Sequence, residues 1–274
     1  MRVFQWCLMK SPTVGCLLLA LALPASAQEA SEDWDYWQTP AEKLSIAAVS
    51  FEKFGIAVRC RDGVLGVVAS GLPPASGVRK VQYSMAGSPE KETTWVGAGD
   101  GRAAFAIWPA AMANELRRGG RLSLGVSEGG VIKRLVVDLP ASPAAVEQVF
   151  KACDRDIAET SEQPDRSDLG SLVWRTAPTP SFPSRTGSET GIAALLCNID
   201  DSGGLRGCRA ESEFPEGGGF GRAATLGAHR TGRVALGAGD PGPLAGRRIS
   251  FVVRYNISDA PEMPLIPSRL PRRE

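Results

Sequence analysis

Thr190-Gly191-Ile192-Ala193-Ala194-Leu195-Leu196-Cys197-Asn198-Ile199-Asp200-Asp201-Ser202-Gly203-Gly204-Leu205-Arg206-Gly207-Cys208-Arg209-Ala210 is the stretch whose reading decides the C-terminal fold. Ile192, Ala194, Leu196 and Asn198 alternate with Ala193, Leu195, Cys197 and Ile199, the period of a strand whose side chains point to opposite faces in turn. Asp200 to Gly204 are turn residues, and the two glycines accept positive φ at no steric cost. The chain leaves through Leu205, Gly207, Cys208 and Ala210 as a second arm. Arms paired symmetrically about this turn set Cys197 opposite Cys208, within the span of a disulfide. A slip of one residue would turn the two sulfurs to opposite faces.

Working outward, the N-terminus is read first as an address. Arg2 and Lys10 precede a short apolar run from Cys16 to Leu23, and Ala25-Ser26-Ala27 follows as a small-x-small cleavage site, so residues 1–27 are expected to be a secretory signal. The run is far shorter than the roughly 20 residues a helix needs to cross a bilayer. The competing readings are an uncleaved anchor and a lipoprotein built on Thr13-Val14-Gly15-Cys16; the latter lacks the usual aliphatic residue before the cysteine. No later segment is long and apolar enough to span a membrane. The expected location is therefore the periplasm.

Loss of residues 1–27 takes the formal charge from +1 to −1. So even a balance offers no electrostatic case for nucleic acid or an anionic surface. The 274-residue chain then retains about two domains' worth of sequence, rich in Gly and Pro with several short apolar runs. Four cysteines remain: Cys60, Cys153, Cys197 and Cys208. Four allow three connectivities. The pairing favoured is Cys60 with Cys153, which bracket one apparent domain, and Cys197 with Cys208, which bracket one hairpin. A zinc site competes, but there is no C-x2-C spacing and His229 is the only histidine.

The fold class expected is α+β: two domains, each a mainly antiparallel sheet with one or two short helices. Residues 28–154 form the first, opening with an acidic tail over 28–35. Strands are expected at 46–51, 56–60, 64–69, 78–83, 93–96 and 103–108, with Arg61-Asp62-Gly63 a hairpin turn. Pro109 opens a helix through Met112 and Leu116 that Gly119-Gly120 ends. Residues 122–126 and 131–139 form another hairpin around Glu128-Gly129-Gly130. Ser142 and Pro143 are expected to cap a helix whose Val146, Val149, Phe150 and Cys153 share one face and carry Cys153 towards Cys60. Closing so long a loop restricts the unfolded chain by about 4 kcal/mol on the chain-entropy estimate.

Residues 155–173 are polar and acidic and read as a linker that permits independent motion. Leu172-Val173-Trp174 marks the junction with the second domain, 174–257. A proline-rich lead-in with Pro178, Pro180 and Pro183 comes before the hairpin. Gly217 to Gly221, a helix through Ala223, Ala224, Leu226 and Ala228, and a last alternating strand of Ile249, Phe251, Val253 and Tyr255 follow. Residues 258–274, with four prolines, form a loose tail.

Over about residues 174–256 this order resembles the C-terminal domain of the TonB family, the periplasmic part of the transducers that engage outer-membrane transporters. Pro180-Ser181-Phe182-Pro183 resembles the family's P-x-aromatic-P lead-in, and Gly191 to Cys197 with Gly204 to Cys208 its cysteine-bearing hairpin. Pro215, Gly219-Phe220-Gly221 and Ala223-Ala224 resemble the glycine-to-helix corner, and Gly246-Arg247-Arg248-Ile249-Ser250-Phe251 the last strand. The resemblance implies a sheet edge at that strand, where Ile249, Phe251, Val253 and Tyr255 are the candidate partner-binding residues, their alternative role being a core strand. The implied partner is a protein of the periplasm or outer membrane, linked to TonB-type transport. Two departures stand out: a signal and a folded domain occupy the places of the anchor and proline-rich spacer, and His229-Arg230-Thr231-Gly232-Arg233 lacks the expected aromatic. The first domain resembles no family.

Several motifs point to chemistry and have simpler readings. Asp201-Ser202-Gly203-Gly204 looks like a protease nucleophile turn, yet that order needs a histidine upstream, whereas His229 lies downstream. Gly125-Val126-Ser127-Glu128-Gly129 fits G-x-S-x-G, but a strand rather than a helix follows it. Ser50-Phe51-Glu52-Lys53 and Ser88-Pro89-Glu90-Lys91 both match S-x-x-K without companion motifs. The glycines at 217–221 would cradle an anion or turn a tight corner. His229 alone reads as a surface or capping residue, and the tryptophans at 34, 37, 95, 108 and 174 as packing. No catalytic residue, metal or cofactor is assigned. The function expected is protein binding by strand addition, the alternatives being an anchored transducer and a serine hydrolase acting through Ser127.

Overall fold

The computed structural model describes residues 33–75, 77–98, 101, 103–157, 172–184 and 187–256. The signal segment, most of the linker and the tail from 258 lie outside the described residues. Apolar alternation in the first half becomes one nine-stranded antiparallel sheet in the order β1-β2-β3-β4-β7-β6-β5-β8-β9. Its strands are β1 (Asp35–Thr39), β2 (Leu44–Ser50), β3 (Gly55–Arg61), β4 (Val64–Ser70), β5 (Val78–Met85), β6 (Lys91–Gly97), β7 (Ala103–Ala106), β8 (Gly120–Glu128) and β9 (Val131–Leu139). The Asp-Gly signal holds: Asp62 and Gly63 both take positive φ, the conformation a two-residue hairpin loop requires, and Arg61 pairs with Val64. Residues 28–35 are not all tail, since β1 begins at Asp35 and pairs along β2.

One face of this sheet buries Val58, Val67, Val81, Tyr83, Trp95 and Leu122 beneath two helices, α1 (Pro109–Leu116) and α2 (Ala144–Ala152). Each such side chain contributes on the order of 2 kcal/mol relative to exposure. The stripe of α2 is as its spacing demands, with Val146, Val149 and Phe150 buried and Cys153 bonded to Cys60 of β3. Ser142 does not cap it: Pro143 occupies the cap position and makes no side-chain capping bond. Helix α1 is apolar nearly all round, because it is covered on a second side by the C-terminal half. Ala110, Met112, Ala113 and Leu116 face the sheet, while Trp108 and Ala111 join Ile192 and Ala194 in a separate buried cluster.

The C-terminal half is built from β10 (Leu172–Thr176), β11 (Thr190–Ile199), β12 (Leu205–Phe214), α3 (Phe220–Thr231), β13 (Arg233–Leu236) and β14 (Arg248–Asn256). β12-β11-β14 form a three-stranded antiparallel sheet, and β10 pairs with β13 in a small one. β10 takes in Leu172 and Val173 from the end of the expected linker. β13 has no counterpart in the sequence reading; with four residues it shows too little alternation to register. A third cluster lies on the α3 side of the three-stranded sheet, with Phe220 packed edge-on against Phe182 at 5.6 Å and tilted against Tyr255 at 5.0 Å. The chain is thus an antiparallel α+β structure.

Both cysteine pairs are bonded as expected, with Cα separations of 5.5 Å for Cys60–Cys153 and 4.0 Å for Cys197–Cys208. Disulfides form and persist in oxidising compartments, which points outside the cytoplasm. Among the described residues no helix is long and apolar enough to cross a membrane.

The two bridges close 93 and 11 residues of chain. The entropy model then assigns the first about 4 to 5 kcal/mol and the second about 3. Replacing Cys60 and Cys153 together by serine is expected to lower the urea midpoint further than replacing Cys197 and Cys208.

Candidate functional site

The hairpin β11–β12 is not symmetric. Leu196 pairs with Arg209 and Asn198 with Arg206, so Cys197 faces a bulge of two residues, Gly207 and Cys208. Gly207 takes φ +53, the conformation that lets a glycine carry the extra residue. The turn is held by Asp200, whose Oδ1 accepts from the amides of Ser202 at 2.9 Å and Gly204 at 2.8 Å and from the Ser202 hydroxyl at 2.7 Å. A second bulge follows between Ala194–Ser212 and Leu195–Ala210, with Glu211 as the extra residue.

That second bulge aims two polar side chains at the N-terminal half. The Glu211 carboxylate, only 6% exposed, accepts from Arg155 beyond α2 at 2.6 Å and from Arg209 at 2.7 Å. The Ser212 hydroxyl donates to the Ile107 carbonyl at 2.6 Å. Nearby, Arg59 of β3 pairs with Glu216 and lies 5.1 Å over the Phe105 ring, which stands 5.3 Å from Phe214. The freedom expected of the linker meets a packed junction of apolar side chains and paired charges.

β14 is the last strand of its sheet. Its register with β11 is regular, and the Ile199 amide donates to the Arg247 carbonyl at 2.9 Å. In an antiparallel ladder this fixes which residues exchange hydrogen bonds: Ile249, Phe251, Val253 and Tyr255 bond to β11 and the even-numbered residues turn their main chain outward. Among the described residues, no partner occurs for the outward amides and carbonyls of Ser250, Val252 and Arg254.

The side chains of the four candidate partner-binding residues pack as those of a core strand. Ile249, Phe251, Val253 and Tyr255 are all buried on the α3 side. Tyr255 donates to the Phe220 carbonyl at 3.1 Å, and burial, with the Glu213 charge behind it, pushes its phenol well above the ordinary value. What β14 presents is main chain, flanked by the even side chains. Alternation alone gave no signal for this, since the register with β11 decides which residues bond inward and which offer their main chain at the rim.

Between the rim and the N-terminal sheet lies a cleft of about 670 Å³. Val78, Val96 and Phe105 form one wall, and Ile192, Phe214 and Pro215 the other. None of these was expected as a binding residue, because the two walls come from segments far apart in the chain.

Other motifs resolve into structure. The amides of Gly219 and Gly221 donate to the Glu213 carboxylate at 3.2 and 2.6 Å, so the start of α3 already holds an anion from β12. Ser127 lies in β8 opposite Ile132, where the strand continues and no helix follows. His229, in the last turn of α3, has Nδ1 3.1 Å from the Leu205 carbonyl. Among the described residues no three His, Cys, Asp or Glu side chains converge to hold a metal.

Removing one member of a buried ion pair strands the other's charge and costs about 3 kcal/mol or more. Glu211→Ala is expected to destabilise by that amount in urea unfolding, and Glu216→Ala, whose carboxylate is half exposed, by less than about 1 kcal/mol. Asp200 is held below the ordinary carboxylate range by the Ser202 hydroxyl first and the Gly204 amide next. A depressed value stabilises the fold above the unfolded-state pKa and loses that effect as pH falls through the folded one. The melting-temperature difference between wild type and Asp200→Ala should thus be present at pH 7 and fade in acid. Comparison of the chain with protein families, characterised proteins and solved structures gives no match.

Proposed function

We propose that this protein is an exported binding module that takes an extended segment of a partner protein as an added strand along β14. The observation that carries the reading is the row of outward main-chain groups at Ser250, Val252 and Arg254. Unpaired rim groups bond any extended chain laid beside them, which gives affinity, while alternate side chains give selectivity. The packed junction supports the reading further: because Val252 also lies against the cluster of Trp108 and Ala111, the rim is held in a fixed place rather than left to fray. Following the resemblance to the TonB C-terminal domain, the partner is a polypeptide of the periplasm or outer membrane, and the activity belongs to transport across the outer membrane.

The register selects the test. Proline at 252 removes an outward amide and leaves every β11–β14 bond in place, whereas proline at 251 would break the sheet itself. Wild-type protein is expected to capture a partner from a periplasmic and outer-membrane extract, with the amides of Ser250, Val252 and Arg254 gaining exchange protection in the complex. Val252→Pro should fold with a similar melting temperature and lose the partner. Capture that survives Val252→Pro, or that leaves those amides unprotected, contradicts strand addition.

A further inference from the structure

The cleft beside the rim has the make-up of a ligand site. Its volume of about 670 Å³ falls within the range of small-molecule pockets, which favour junctions between packed units and combine apolar walls with a few polar groups. Aliphatic side chains Val78, Val96 and Ile192 and the adjacent rings of Phe105 and Phe214 supply the walls. The charges are unequal. Glu216 is held by Arg59, but Arg254, which also lines the cleft, has no carboxylate partner among the described residues. Thr190, on the neighbouring strand and paired in register with Asn256, is a further polar residue of the lining.

The geometry points to a small amphipathic monocarboxylate as the ligand, its chain or ring between the apolar walls and its head on the Arg254 guanidinium. A guanidinium fork matches a carboxylate in shape and pairs with it through charge-assisted hydrogen bonds. One unneutralised cation, with Glu216 close by, suits a single negative charge rather than two. The Tyr255 hydroxyl is already bonded to Phe220 and takes no part. This inference stands on the cleft alone and does not require a strand on β14.

The test uses the full chain and titration calorimetry with three probes of one length: octanoate, octanamide and octylammonium. Octanoate is expected to bind one to one, octanamide about ten-fold more weakly and octylammonium not at all, the loss expected when a charged hydrogen-bond partner is removed. Arg254→Gln should weaken octanoate about ten-fold and leave octanamide unchanged. Val78→Glu, at a position already 38% exposed, should abolish octanoate binding without unfolding the protein. Equal affinity for the three probes, no saturable octanoate binding, or an Arg254→Gln protein that binds octanoate as wild type does would overturn the assignment.

Discussion

The central strand β11 is apolar on both faces, and that constraint organises the molecule. Ala193, Leu195, Cys197 and Ile199 pack beneath α3, while Ile192 and Ala194 pack against Trp108 and Ala111 of the N-terminal half. A strand with no polar face must be covered on both sides and sit in the middle of its sheet. β12 and β14 flank it, and the C-terminal sheet is sealed between its own helix and the N-terminal half. Both outer strands are sheet edges: β12 is broken by two bulges and turns the side chains of Glu211 and Ser212 into the junction, while β14 keeps a regular register and an outward main chain that finds no partner among the described residues.

The bulges explain how a short hairpin reaches so far. An extra residue at Glu211 breaks the alternation of β12 and brings two successive buried polar side chains, Glu211 and Ser212, to the same junction. Glu211 meets Arg155, just past the cystine that ties the end of α2 to β3, so the covalent staple and the ion pair act on the same corner. Arg59 and Glu216 join the two halves at a second point, beside Phe105 and Phe214. Two separated attachments fix an orientation where one would leave a hinge.

Much of this was legible in the residues. Period-two runs, the Asp62-Gly63 turn and the stripe on α2 follow from spacing, because each depends on neighbours close in the chain or on a parity that a local period sets; of three possible cystine connectivities, the one favoured by which cysteines bracket a hairpin and a domain is the one formed. The short strand β13, the bulges and the exchange of roles along β14 were not legible. A bulge shifts register by one residue without altering composition, and which residues of a strand bond inward is decided by its partner. The cleft was hidden for a similar reason: Val78, Val96 and Phe214 are ordinary strand residues until two sheets meet. Glu211, a single acid in a polar hairpin arm, gave no hint of burial.

β14 bonds to β11 through alternate residues and turns the rest of its main chain outward, where it meets no partner among the described residues. Amide hydrogen exchange in the free protein, read residue by residue by NMR, tests this most directly. The amides of Phe251, Val253 and Tyr255 should exchange slowly and those of Ser250, Val252 and Arg254 at least a hundred-fold faster, about 3 kcal/mol in opening free energy. Uniform slow exchange along the whole strand would mean that the rim is already covered, and would contradict the account.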